Sequence, residues 1–489
     1  MFAPCRKELG MFREVDQCML CHNAACTKAC GVAEPDRVMR SLYFDNAEVV
    51  KNNLPDRVLC SGCDGRCQDA CPRKLDIKGI ICSIEKKDDR KSIDYECLRT
   101  DFCGIPMDNP FMLSSSVVAS TYDMCARAFD AGWGGVCFKT VCLMDIHEAS
   151  PRFSAIKGDN NRIIGFKNIE QLSDHSLVEN IEIFRKLKEN YPTKFLLISI
   201  MGRNDEEWAY LAEVMSKNGA DALELNFSCP NMTEENTGSD VGQIPELVER
   251  YTKVVREHTK LPILAKLTPN VAHIEESAEA AIRGGADGVA AINTIKSLIE
   301  VDIDPSDGVF KSSIGGYSGK AVKPIALRFI AELGKDKNLS GKHISAMGGI
   351  ETWRDAMEFV SLGADSLQIT TAVMEYGYRI IDDLKDGMAL YLMEHGFKSV
   401  KDMKKATLAG VVATEQLDRE HVIYPKFLRD SCVGCQRCFV SCMDGGHQAI
   451  SIRDGKPVLD PGKCVGCHLC VLVCPNGAIV SSGIPVKKK

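Results

Sequence analysis

Short apolar runs recur through the middle of the chain, and segments with helical periodicity separate them. The runs are PFMLSSS (110–116), GGVCFKT (134–140), FLLISIM (195–201), ALELNFS (222–228), PILAKLT (262–268), GVAAINT (288–294), HISAMGG (343–349) and SLQITTA (366–372). Because they are apolar throughout rather than alternating, they fit strands of a parallel sheet buried on both faces. Eight strand–helix units predict an α/β domain closed into a (β/α)8 TIM barrel over residues 99–420. An open doubly wound sheet fits less well, since no GxGxxG follows an early strand.

Nearly every run ends in polar or small residues: Ser114 to Ser116, Lys139-Thr140, Asn226 with Ser228-Cys229, Lys266 with Thr268, Asn293-Thr294, Gly348-Gly349 and Thr370-Thr371. The C-terminal ends of barrel strands form one mouth, where barrel active sites lie, so these residues are expected around one pocket. Contact with solvent would explain the serines and threonines. It explains less well two lysines and two asparagines that each follow a buried run.

Composition narrows the setting. The 489 residues suit about three domains. The balance of 60 basic and 67 acidic side chains gives no electrostatic reason to expect nucleic acid. The basic run Lys487 to Lys489 reads as a solvated tail. No apolar stretch reaches membrane-spanning length, and MFAPCRKELG is not followed by the apolar core of a signal peptide. A cytoplasmic location is expected.

Cysteine changes the picture more. There are 24, concentrated in residues 1–98 and 421–489. Regular cysteine spacing in a cytosolic chain points to metal rather than disulfides. The C-terminal region carries Cys432, Cys435, Cys438 and Cys442, then Cys464, Cys467, Cys470, Cys474 and Pro475. This doubled CxxCxxCxxxC spacing predicts a ferredoxin-like domain with two 4Fe–4S clusters, in which the fourth cysteine of each run ligates the other cluster. Cys432, Cys435, Cys438 and Cys474 would hold one, and Cys464, Cys467, Cys470 and Cys442 the other. Zinc would need only two CxxC pairs per ion. Met443 stands where a proline is usual.

The N-terminal region offers Cys18, Cys21, Cys26 and Cys30, then Cys60, Cys63, Cys67 and Cys71, at looser spacings between helical stretches. The same crossing logic joins Cys18, Cys21 and Cys26 with Cys71, and Cys60, Cys63 and Cys67 with Cys30; zinc stays an alternative here. Of the remaining cysteines, Cys5, Cys82, Cys97, Cys103, Cys125, Cys137 and Cys142 read as small hydrophobes. Cys229 does not. Four clusters carry single electrons, so a barrel joined to them needs a two-electron converter, which a flavin supplies. The loops beginning at Gly348-Gly349 and Thr370-Thr371 follow strands 7 and 8, where TIM barrels commonly hold a phosphate.

Residues 101–480 resemble the catalytic subunits of bacterial NAD-dependent dihydropyrimidine dehydrogenases. The resemblance rests on LSSSVV, GWGGVCFKT, ASPRF, SIMGRN, ELNFSCP, GSDVGQ, AKLTPN, AAINTIKS, GGYSGKAVKPIALRFI, GGIETW, YGYRI, CVGC and DGGHQA. Dihydroorotate dehydrogenases share the barrel and the FMN, but lack both iron–sulfur modules in one chain. Residues 1–98 are similar, more distantly, to the helical iron–sulfur domain of the long single-chain dihydropyrimidine dehydrogenases.

The resemblance implies an oxidoreductase acting on the CH–CH bond of uracil or thymine. It implies FMN contacts at Ser115, Lys139, Lys266, Gly316, Gly349, Thr370 and Thr371, and pyrimidine contacts at Asn204, Asn226, Asn293 and Thr294. Cys229 matches the proton donor. The chemistry agrees: asparagine carries both a donor and an acceptor for a pyrimidine edge, and a thiol can act as general acid. Lys266 beside the flavin would stabilise its anionic reduced form. The loop MTEENTGSDVGQ after Cys229 has glycines at Gly238 and Gly242 and could act as a lid.

About thirty residues separate Cys71 from the barrel, too few for a Rossmann domain of about 100 residues. Electrons are therefore expected from a separate FAD/NAD(P)H subunit or a ferredoxin, within a homodimer or hetero-oligomer. Two other readings compete: a dihydroorotate-type oxidase that sends electrons outward, and an electron-transfer subunit with an idle barrel.

Overall fold

In the computed structural model of the chain, the structure describes residues 14–53, 60–85, 87, 91–158, 161–232, 237–299, 301 and 313–488. Each apolar run contributes one strand: β1 (Phe111–Leu113), β2 (Gly135–Val141), β3 (Phe195–Ile200), β4 (Ala222–Asn226), β5 (Ile263–Lys266), β6 (Gly288–Ala291), β7 (His343–Met347) and β8 (Ser366–Ile369). They pair in parallel in sequence order, and β8 closes on β1. The outer helices are α1 (Tyr122–Ala131), α2 (Leu177–Asn190), α3 (Asp205–Ser216), α4 (Pro245–His258), α5 (Ile274–Arg283), α6 (Lys323–Lys335), α7 (Trp353–Leu362) and α8 (Ile380–Glu394). Several begin where side chains satisfy the first backbone N–H groups. Ser176 with Glu179 and Thr352 with Asp355 form capping boxes, and prolines open α4 and α6.

Strand periodicity sorts the barrel interior into a dry floor and a polar top. Met112, Cys137, Leu197, Ala222, Leu264, Ala290 and Met347 pack together low in the barrel. A hairpin of Thr100–Phe102 with Ile105–Met107 stoppers this end, placing Phe102 and Met107 in the same cluster. Two residues further along their strands, Cys137 gives way to Lys139, Ala222 to Glu224 and Leu264 to Lys266. Successive inward side chains are two apart, so charge appears only at the mouth.

Two excursions from the mouth form an antiparallel four-stranded sheet not foreseen in the sequence. The β2–α2 connection contributes Phe153–Lys157 and Ile163–Asn168; the β6–α6 connection contributes Ile295–Ser297 and Gly315–Ser318.

The N-terminal helices, among them Pro35–Tyr43 and Ala47–Asn53, pack on α8. The almost fully buried carboxylate of Asp383 accepts hydrogen bonds from Arg40 Nε at 2.7 Å and Ser41 Oγ at 2.8 Å, and Asn46 Nδ2 donates to its carbonyl at 2.7 Å. Arg40, Ser41 and Asn46 thus tie the N-terminal helices to the barrel's last outer helix. By compactness the chain divides into two units, Met1–Gly410 and Val411–Lys489. In the second unit, His421–Phe427 pairs with Ile479–Lys487, and Ile450–Arg453 with Lys456–Leu459, around a small core that includes Cys438 and Cys470. Among the described residues no helix is long and apolar enough to cross a membrane.

Candidate active site and cluster sites

The barrel mouth opens into a cavity of about 1110 Å³, counted out to solvent. Both of its lysines are already paired. Lys266 Nζ lies 3.0 Å from Ser115 Oγ and 3.6 Å from Glu224 Oε1, deep in the interior. Ser115 Oγ donates to the same carboxylate at 2.9 Å, and Gln368 Nε2 donates to its other oxygen at 3.0 Å. Lys139 Nζ sits 2.7 Å from Glu170 Oε2 and 3.3 Å from Glu148 Oε1, and Arg152 Nε braces Glu170 at 2.7 Å. Buried charges persist only when paired and hydrogen-bonded in this way.

Opposite lies a wall of amides. Asn226 Nδ2 donates to Thr140 Oγ1 at 2.9 Å, and Asn226 Oδ1 accepts from Ser228 N–H at 3.1 Å. Asn293 Nδ2 donates to Ser228 Oγ at 2.8 Å, and the Thr294 N–H donates to Asn293 Oδ1 at 2.7 Å. These bonds fix the side chains while leaving part of each amide's capacity for a ligand.

Cys229 lines the same cavity and is 6% exposed. Burial pushes its thiol up to about 11, and Glu148 adds to the rise. The Asn231 N–H, Lys266 and Lys139 pull the other way without cancelling it. The group is a protonated thiol at neutral pH, able to give a proton. The following loop turns back at Gly238, whose φ of 55° and lack of a side chain let the chain pass close to the Cys229 carbonyl; a Cβ there would sit 2.4 Å from that oxygen. Residues 233–236 of the suggested lid lie outside the described residues.

Ser115, Lys139, Lys266, Gly349, Thr370, Thr371, Asn226, Asn293, Thr294 and Cys229 are thus brought to one cavity. Two expected residues are not. Asn204 caps α3, its Oδ1 accepting from the Glu207 N–H at 3.0 Å, and does not line the cavity. The signal was in Asn-Asp-Glu-Glu, a helix start with acidic residues in its first turn. Gly316 lies behind Thr294, where a Cβ would come within 2.1 Å of Thr294 Oγ1, so it serves close packing rather than lining the cavity.

Asn168, Glu170, Gln171 and Asn231 were missed. Asn231 Nδ2 donates to Asn168 Oδ1 at 3.3 Å and to the Glu170 carbonyl at 2.9 Å. A polar Asn-x-Glu-Gln directly after the β-rich run IIGFK was the available clue. Glu224 and Gln368 were hidden within buried strands.

The cavity chemistry fits flavin mononucleotide. At one end Gly319, Gly348 and Gly349 adopt left-handed φ values, and Ser318 and Thr371 hydroxyls lie 3.1 Å apart, as do those of Ser116 and Thr370. Backbone N–H groups and hydroxyls suit a phosphate. At the other end Gln368 Oε1 is buried without a hydrogen-bond partner among the described residues, an acceptor for a ring N–H beside Lys266.

The cysteine sets gather in space as well. One hollow is lined by Cys432, Cys435, Cys438 and Cys474, a second by Cys442, Cys464, Cys467 and Cys470, and a third by Cys18, Cys21, Cys26 and Cys71. Cys30, Cys63 and Cys60 are near neighbours of Cys67. Among the described residues no three ligand side chains close on a point as they would around one ion. Thiols spread around a hollow instead suit a larger cluster. Backbone N–H groups of Ala449, Gly466 and Ala478 donate to Cys442, Cys464 and Cys474 sulfurs at 3.3, 3.4 and 3.2 Å, and such bonds orient and stabilise cluster-bound sulfur. Cys97, Cys125, Cys137 and Cys142 are buried, Cys82 and Cys103 are half-buried, and Cys5 lies outside the described residues.

Comparison with known proteins agrees with this geometry. The dihydroorotate dehydrogenase family matches residues 97–392, and a 4Fe–4S dicluster domain matches residues 427–480. The NAD-dependent dihydropyrimidine dehydrogenase subunit PreA of Escherichia coli K12 is 52% identical over 357 residues, 72% of this chain and 87% of that protein. The chloroplastic dihydropyrimidine dehydrogenase (NADP(+)) of Arabidopsis thaliana is 35% identical over 322 residues, covering 62% of this chain and 75% of the plant protein. The catalytic subunit of dihydroorotate dehydrogenase B (NAD(+)) from Pyrococcus abyssi is 40% identical over 311 residues, 63% of this chain and 97% of its own. A barrel whose mouth surrounds a protonated thiol with amides, followed by a dicluster domain, belongs to the dihydroorotate dehydrogenase family of oxidoreductases, and within it this chain is a dihydropyrimidine dehydrogenase-type member.

Proposed function

We propose that the chain reduces uracil or thymine to the 5,6-dihydropyrimidine, with FMN in the barrel mouth and four 4Fe–4S clusters bringing electrons from a separate donor. The observation that carries the choice of substrate is the pairing of both cavity lysines with buried carboxylates, Lys139 with Glu148 and Glu170, and Lys266 with Glu224. An uncharged base finds amides and a thiol there. The carboxylate of orotate would have to compete with an acid already in place for either lysine, at a desolvation cost. The 52% identity to PreA points the same way.

The bound flavin would supply the hydride for one carbon of the C5–C6 bond. Cys229 holds the proton for the other, and its burial keeps that proton in place at neutral pH. Asn226, Asn293 and Thr294 orient the base through its carbonyl and N–H edge. Ser115 and Glu224 hold Lys266 at the flavin end, where its charge stabilises an anionic ring. The crossed cysteine sets supply sixteen thiolates for the four clusters. The partner is a flavin–NAD(P)H subunit or a ferredoxin, and a soluble cytoplasmic setting fits both. Anaerobic reduction of the purified protein, followed by mixing with uracil, thymine or orotate, tests the reading. Rapid flavin reoxidation by uracil or thymine is expected. Reoxidation by orotate alone would favour a dihydroorotate-type enzyme.

A further inference from the structure

Glu148 is a carboxylate that neither the cysteine spacing nor the barrel pattern called for. It sits in the connection after β2, with its side chain 8% exposed. One oxygen is 3.3 Å from Lys139 Nζ, and the other is 3.9 Å from Arg152 Nη1. The Gln171 N–H donates to both oxygens, at 3.0 and 3.3 Å. Gln171 Nε2 in turn donates to the Asn231 carbonyl at 3.3 Å. Asn231 lies two residues beyond Cys229, and its N–H bonds to the thiol. An unbroken chain of contacts therefore runs from Glu148 through the segment 168–171 to Cys229.

We propose that Glu148 is a positioning residue for the reaction, latching the segment 168–171 over the cavity and balancing Lys139 beside Cys229. Tying down Gln171 also places Asn168 and Glu170 on the cavity wall, since Asn231 bonds to both residues. The charged groups facing Cys229 are Lys266 from β5, Lys139 from β2 and Glu148 from the β2–α2 connection. Of these only Glu148 favours the protonated thiol. Lys139 alone would make the thiol more acidic and less able to keep its proton between turnovers. Arg152 and Lys139 against Glu148 and Glu170 make a neutral quartet, so neutralising Glu148 leaves a net positive charge next to the thiol.

The proposal rests on Cys229 as the proton donor, but its test does not use turnover. Cys229 of the flavin-loaded full chain would be alkylated with iodoacetamide across a pH series and followed by peptide mass spectrometry. Glu148→Gln keeps an acceptor for the Gln171 N–H and removes the charge. Its alkylation midpoint should fall by about half a pH unit or more, giving roughly threefold faster labelling below the midpoint. Glu148→Asp should restore the wild-type midpoint at least in part. An unmoved midpoint in Glu148→Gln, or equal shifts in the Gln and Asp variants, would overturn the proposal. So would a Glu148→Gln chain that cannot fold or hold flavin, because Glu148 would then be a structural tie. Failure of the Cys229 reading would look different: normal base reduction in Cys229→Ala, whatever the alkylation profile.

Discussion

Asn293 Nδ2 donates to Ser228 Oγ at 2.8 Å, tying the end of β6 to the residue immediately before Cys229. The thiol is thus held against the wall that would orient a pyrimidine, and the donor and the orienting amide move as one piece. Cys229→Ala should bind FMN and base normally and still accept electrons from an artificial donor. Base reduction should fall roughly 100-fold or more, the scale of losing a general acid, about 2.7 kcal/mol. Cys229→Ser should lose nearly as much, because a hydroxyl is a far weaker acid. Single-turnover oxidation of the reduced flavin by uracil in all three proteins measures this, and turnover of the Ala variant within a few-fold of wild type would assign the proton to another group.

The buried thiol also sets a pH dependence. With its value pushed up to about 11, Cys229 stays protonated through neutrality and gives up its proton only as pH rises toward that value. Single-turnover base reduction should therefore be flat across neutral pH and decline in alkaline solution. A decline centred near pH 7 would mean that the loaded site makes the thiol far more acidic.

Iron content tests the crossed cysteine sets. Wild type should carry about sixteen iron atoms and one FMN per chain. Cys474→Ser should carry about twelve, losing the cluster at Cys432, Cys435 and Cys438 although the substitution falls in the other run. About eight iron atoms in wild type, with zinc making up the difference, would confine the clusters to the C-terminal unit.

The isolated chain should not oxidise NADH or NADPH at a useful rate, because no dinucleotide-binding fingerprint occurs in it. Stopped-flow mixing with NADH is the check. Rapid flavin reduction without a partner protein would reveal a nicotinamide site.

At the closed end of the barrel, burial lowers His343 to about 4 from its ordinary 6.5. Its ring lies tilted against Phe102, 4.3 Å between centroids, and Nε2 lies 2.9 Å from Ser366 Oγ. The folded state prefers the neutral ring, so its contribution is present above about pH 6.5 and is lost as pH falls toward 4, by at most about 3 kcal/mol. Urea unfolding at pH 7 and pH 5 should show this loss in wild type and a smaller one in His343→Phe.

The barrel was legible because its strands are buried on both faces and so spell continuous apolar runs. The sheet above the mouth was not. Phe153–Lys157 is mostly exposed, and its neighbour Ile163–Asn168 pairs on its other side with Gly315–Ser318, from a connection more than a hundred residues later, so periodicity did not mark the sheet. Asn168 and Glu170 went unseen with it. The two expected residues that do not line the cavity sit where they do for local reasons. Asn204 was an asparagine spent on a helix start, and Gly316 a glycine needed by its neighbour Thr294. The cysteine sets stood out because their spacing repeats along the chain, whereas a polar wall assembled from separate loops leaves no repeat.

The hairpin beneath the barrel floor has a kinetic meaning. With Phe102 and Met107 packed into the barrel floor, the site is closed at that end and opens at the mouth. A base proposed as substrate and the dihydropyrimidine proposed as product would both pass through that mouth, so departure of one would precede arrival of the next. Asn168, Glu170 and Gln171 line that mouth, so whatever moves them would act on entry and release alike.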